Sequence, residues 1–210
     1  MDAAARVLTE PGPRGERIDY GAEPEQFWER FGEGSKAPRV VWIHGGFWKP
    51  EYDLEHAGHA CAALAEAGVP ALNLEYRRDH WRHALEDVAL GTADADVVVG
   101  HSAGGHLALW TGLPAVALAP VADLDEARRL RLGGDAVRRF FGPETPPEAL
   151  PKHAARQVLV HGTADEIVPI SLSERHGGRL IRLEGAGHYE PVSPWSAEWP
   201  VVVQAIRELL

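Results

Sequence analysis

The sequence predicts an α/β fold, a mostly parallel sheet with helices on both faces. Three observations lead there. Short apolar, β-branched runs recur along the 210 residues, each closed by turn residues. Segments with helical spacing separate these runs, so strands and helices alternate. The runs are apolar at nearly every position instead of every second one, as strands covered on both faces must be.

Val40-Val41-Trp42-Ile43 is the first clear strand. A glycine-rich loop and an Ala-rich helix over about Glu55 to Ala67 follow, ended by Gly68, a residue free to take the left-handed conformation of a helix terminus. Ala71-Leu72-Asn73-Leu74 reads as the second strand, His83 to Leu90 as a helix, and Asp96 to Val99 as the third strand, running into Gly100. A helix over about Gly105 to Leu113 leads to a strand at Ala115 to Ala119, then to helical patches at Leu124 to Leu132 and Asp135 to Phe141. Strands at Val158 to Val160 and Leu180 to Leu183 complete the series, and Pro200 suits the first turn of a last helix. One domain over 1–210 is expected, with a short cap segment at about 120–156 whose prolines limit long helices.

Composition narrows the partners. The formal charge of −10 repels a phosphate backbone, so nucleic acid is not expected. The first residues lack a basic start with an apolar stretch behind it, and no apolar run approaches roughly 18 residues. A soluble, cytoplasmic protein with no membrane partner is therefore expected. Cys61 is the only cysteine, which excludes an internal disulfide and a cysteine zinc site and makes the residue a small buried hydrophobe. The oligomeric state is left open, a homodimer included.

In open α/β sheets ligands bind at the carboxyl ends of the strands, so the residues just after each run carry most information. They are His44-Gly45-Gly46, Gly100-His101-Ser102, His161-Gly162-Thr163-Ala164-Asp165 and Glu184-Gly185-Ala186-Gly187-His188. Gly100-His101-Ser102-Ala103-Gly104 matches G-x-S-x-G, a strand-to-helix turn that exposes a serine hydroxyl. A bare match is weak, but a strand stands before this one and a helix behind it. A serine hydroxyl needs a histidine to take its proton and a carboxylate to orient that histidine. Asp165 and His188 follow the last two strands in the order Ser, Asp, His expected of that turn. Glu166 and Asp123 are the competing acids.

Attack on a carbonyl creates an oxyanion that needs preorganised donors. The backbone N–H of Ala103, opening a helix, is one candidate, and those of Gly46 and Phe47 in His44-Gly45-Gly46-Phe47-Trp48 are the others. Trp48, Trp81 and Tyr189 are candidates to line the substrate pocket, with core packing the alternative for each. The pair His56 and His59, with His80 and His83, lacks the spacing of a zinc motif, and neither metal nor cofactor is expected.

These residues resemble a known group, the α/β-hydrolase esterases of the hormone-sensitive-lipase and arylformamidase (kynurenine formamidase) type. His44-Gly45-Gly46-Phe47-Trp48 is similar to the formamidase HGG-x-W signature, and Gly100 to Ala108 to its serine turn and following helix. Glu75-Tyr76-Arg77 and His83 to Val88 are similar to further stretches of the same group, and the likeness extends over about 39–210. The Pro-Glu that often follows Tyr-Arg in the lipase-like branch is absent. The resemblance implies the α/β-hydrolase fold, with Asp165 as acid and His188 as base. The expected activity is a serine hydrolase acting on a small-molecule ester or amide, short-acyl esters and aryl formamides first. A peptidase-like or other acyl-transfer enzyme and a non-catalytic binding module on the same fold are the alternatives.

Overall fold

The computed structural model describes residues 3–33, 39–154 and 156–210. Its centre is an eight-stranded sheet in the order β1-β2-β4-β3-β5-β6-β7-β8. The six strands expected from the apolar runs are present: β3 (Val40–Ile43), β4 (Ala71–Leu74), β5 (Val97–His101), β6 (Ala115–Leu118), β7 (Gln157–Gly162) and β8 (Arg179–Leu183). All their mutual pairings are parallel. Two further strands extend the edge beyond β4. These are β1 (Glu16–Asp19) and β2 (Phe27–Phe31), both antiparallel to their neighbours.

Alternation along the strands explains why the runs are apolar throughout. Val40 and Trp42 join one buried cluster, with Cys61 and Leu64 of α2 (Gly58–Glu66) and Val202 and Ile206 of α8 (Trp199–Arg207). Val41 and Ile43 join another, with Ala84 and Val88 of α3 (Trp81–Gly91) and Leu107 and Ala108 of α4 (Ala103–Thr111). Successive side chains leave a strand on opposite faces, and here each face meets helices. Gly68, with φ of 80°, follows α2 as expected.

The segment between β6 and β7 carries α5 (Leu124–Arg129), α6 (Leu132–Phe141) and a short 3-10 turn at Pro147–Ala149. Asp123 caps α5, its Oδ1 accepting from the Glu126 N–H at 2.9 Å. The opening of α6 is not helical: Gly133, Gly134 and Asp135 all take positive φ. α7 (Ser171–His176) lies between β7 and β8. At the other end of the chain α1 (Ala3–Thr9) buries Val7 against the α2 side of the sheet. The His59 ring secures its exit with a bond from Nε2–H to the Glu10 carbonyl at 3.1 Å. No helix among the described residues is long and apolar enough to cross a membrane.

Candidate active site

β5 runs into α4 through one residue, Ser102, held at φ 56° and ψ −115°. A side chain at positive φ is strained by roughly 1–3 kcal/mol and persists only where its surroundings enforce it. Here the Ser102 N–H donates to the Leu118 carbonyl at 2.9 Å, and the Ser102 carbonyl accepts from Val121 and His106 at 3.1 Å. The turn is pressed onto β3. A Cβ on Gly104 would lie 2.2 Å from the Ile43 carbonyl oxygen, so only glycine fits two places after the serine.

The loops after β7 and β8 bring Asp165 and His188 together. The His188 Nδ1–H donates to Asp165 Oδ2 at 2.7 Å. Asp165 Oδ1 accepts the N–H groups of Ile167 and Val168, at 2.9 and 2.8 Å. Burial works against the Asp165 carboxylate, but hydrogen bonds from His161 and His188 outweigh it and hold the carboxyl far below its usual range. His161 closes the arrangement from behind. Its Nε2–H is shared between the Val168 carbonyl (2.8 Å) and Asp165 Oδ2 (3.2 Å), and its Nδ1 accepts from the Ser173 hydroxyl at 2.7 Å. Neither competing acid reaches His188: Glu166 is exposed and Asp123 is committed to its helix cap.

The loop after β3 makes a tight turn in which the Lys49 N–H donates to the Gly46 carbonyl at 3.0 Å. Its two central residues, Phe47 and Trp48, have φ of 52° and 54°. Such a turn normally takes Gly or Asn, and bulky residues there require outside support. Trp48 has it, its ring lying parallel to Phe140 at 5.7 Å and edge-on to Phe141 and His106 at 5.1 and 5.3 Å. Phe47 packs against Gly133, where a Cβ would meet its ring at 2.6 Å. A Cβ on Gly45 would come within 3.1 Å of Ser102 Cβ, which shows how closely this loop passes the serine turn.

Glu75, at the end of β4, anchors the start of the loop. Its carboxylate accepts from the N–H groups of Leu54 (3.1 Å) and Tyr76 (2.8 Å), and it meets His44 Nε2 at 3.2 Å and the Arg78 guanidinium. Burial would raise this carboxyl; His44 and Arg78 more than offset it and hold it at about 2. The sequence reading assigned no role to Glu75, Arg78 or His161. A polar residue inside or just after an otherwise apolar strand was the available signal.

Ser102, His188, Gly46 and Phe47 line one cavity of about 160 Å³, with Leu8, Tyr52, His56, His101 and Tyr189. Ala103, buried, follows Ser102 as the first residue of α4, where backbone N–H groups lack intrahelical acceptors. Of the three aromatic candidates, Tyr189 lines this cavity. Trp48 does not: its ring is enclosed by α6 and α4 and faces a neighbouring cleft that also holds Lys49 and Arg139. Trp81 sits at the start of α3 in the apolar cluster beneath the sheet, so its large surface is spent on packing. Among the described residues, none of the expected cap segment, 120–156, lines the cavity. That segment packs beside α3 and α4, and α1 with the stretch from 46 to 56 supplies the outer wall instead.

Sheet order, the serine turn and the three loops around it are those of the α/β-hydrolase fold, and this chain has that fold. An esterase from Pyrobaculum calidifontis superposes with a TM-score of 0.69 at 18% identity, over 98% of this chain and 87% of that one. The HSL homologue EstE7 from a metagenome library gives 0.69 at 20% identity, over 99% and 88%. Esterase LipC of Mycobacterium tuberculosis is 25% identical over an alignment 238 positions long that covers 82% of this chain. The match spans 59% of the length of that curated relative. No protein-family model matches the chain.

Proposed function

We propose that the chain is a serine hydrolase that cleaves short-acyl esters or aryl formamides through an acyl-enzyme intermediate. The observation that carries this reading is the 2.7 Å bond from His188 Nδ1–H to Asp165, with Ser102 on the wall of the same cavity. With Nδ1 donating, Nε2 is the acceptor and takes the Ser102 proton as Oγ attacks the carbonyl carbon. Asp165 keeps the ring in that tautomer and stabilises the imidazolium. The oxyanion is received by the N–H groups of Ala103, Gly46 and Phe47, each donor worth about 10² to 10³ in rate. His188 then returns the proton to the leaving alcohol or amine. Water, activated by the same histidine, releases the acid and frees Ser102.

Cavity size supports a short acyl group. About 160 Å³ is small beside the roughly 300–1,000 Å³ of pockets that hold drug-sized ligands. The esterase names of the structural neighbours and of the mycobacterial relative agree with ester cleavage. The test is active-site labelling with a fluorophosphonate, followed by rates on p-nitrophenyl esters, an aryl formamide and a peptide. Ser102→Ala should label no better than denatured protein while its melting curve stays cooperative. Labelling retained in that variant would remove Ser102 from the nucleophile's role.

A further inference from the structure

Three imidazoles line the cavity beside Ser102, and two of them are occupied. His188 is bound to Asp165. His101 donates from Nε2 to the His188 carbonyl at 3.0 Å, and its Nδ1 is sealed from solvent. The third is His56, in the 3-10 turn Glu55–Ala57 that precedes α2. Its ring lies edge-on to His44 at 6.0 Å. Among the described residues His56 has no hydrogen-bond partner, and its nitrogens are not among the sealed polar atoms. The rest of the wall is mostly apolar or aromatic: Leu8, Phe47, Tyr52 and Tyr189.

We infer that His56 is the specificity-determining residue of this cavity, hydrogen-bonding a hydroxyl or amide group carried by the substrate close to the reacting carbonyl. The inference rests on the hydrolase reading above. Burial lowers the His56 pKa to about 4, with His44 adding to the effect, so at neutral pH the ring is uncharged. An uncharged imidazole offers one donor and one acceptor, which matches a hydroxyl or an amide better than a carboxylate or an ammonium. A substrate lacking that group would leave a polar atom of the wall without a partner, and sites built to hydrogen-bond a substrate discriminate strongly on that ground.

The test uses two pairs of esters matched in shape. Ethyl lactate and ethyl isobutyrate differ by hydroxyl for methyl on the acyl side. 2-Hydroxyethyl acetate and propyl acetate differ likewise on the alcohol side. The intact protein should favour the hydroxylated member of one pair at least tenfold in kcat/KM, mostly through KM. His56→Leu should erase that preference, and His56→Gln should restore part of it. No preference in either pair, or a preference unchanged in His56→Leu, overturns the inference. Binding of the same pairs to Ser102→Ala, measured by calorimetry, needs no turnover. If no ester is cleaved by the intact protein, the hydrolase reading fails, and this binding comparison still decides for or against His56.

Discussion

Replacing Glu75 by Gln keeps the shape of the side chain and removes its charge from beneath the glycine loop. The carboxylate accepts two backbone N–H groups and pairs with His44 and Arg78, and only 3% of the residue is exposed. Its pKa is about 2 against an ordinary 4.5. At about 1.4 kcal/mol for each tenfold change in proton affinity, that difference amounts to about 3 kcal/mol. Breaking a buried ion pair by removing one partner costs about 3–5 kcal/mol, an independent figure of the same size. Because the folded-state pKa is depressed, the stabilisation is complete above about pH 4.5 and is lost as pH falls toward 2. At pH 7 the variant should unfold in urea with about 3 kcal/mol less stability, equivalent to about 6–12 °C in Tm for a chain of this size. The gap between the two proteins should close as the medium is acidified from pH 5 to pH 2. A loss under 1 kcal/mol at pH 7, or a gap that stays constant through that window, would refute the reasoning.

The other expectations concern the serine turn, the acid and the acyl site. Asp165→Asn should lower kcat by about 10⁴, the cost of holding a catalytic histidine in the wrong tautomer, whereas Glu166→Gln, at an exposed side chain, should stay within about threefold of the parent; steady-state kinetics on p-nitrophenyl acetate rank the two. Ser102→Gly should be more stable than Ser102→Ala by about 1–2 kcal/mol in urea melts, since glycine relieves the strain at φ 56° that alanine keeps. Gly104→Ala places a Cβ 2.2 Å from the Ile43 oxygen, and it should lose several kcal/mol of stability or fail to accumulate as soluble protein. p-Nitrophenyl acetate and butyrate should exceed the palmitate in kcat/KM, because added methylenes gain about 0.8 kcal/mol each only where a cavity receives them; a palmitate optimum would require a deep acyl tunnel.

Much of this molecule is written in local pattern. Short β-branched runs apolar at every position, as at 40–43 and 97–99, fit strands covered on both faces, and Val40 and Val41 do divide between two clusters. Glycines at 45 and 104 mark where backbone approaches backbone, so the loops at the candidate site were visible before any coordinates. Strand β1 and α1 were not, because an exposed edge strand such as Glu16-Arg17-Ile18-Asp19 and a seven-residue helix carry too little periodicity of their own; their partners, β2 and the Glu10–His59 contact, hold them. The choice of Asp165 over Glu166 and Asp123 was open in one dimension and is a matter of distance in three. The pocket wall is likewise a tertiary property. Trp48 and Phe140, 92 positions apart, stack because α6 folds onto the glycine loop, while Leu8 of α1 and His56 of the turn before α2, 48 positions apart, meet on the wall of the serine cavity. Residue types and spacings name the chemistry a chain can carry, but which side chains face one another depends on how whole elements pack, and that is settled by buried area and shape instead of by neighbours in sequence.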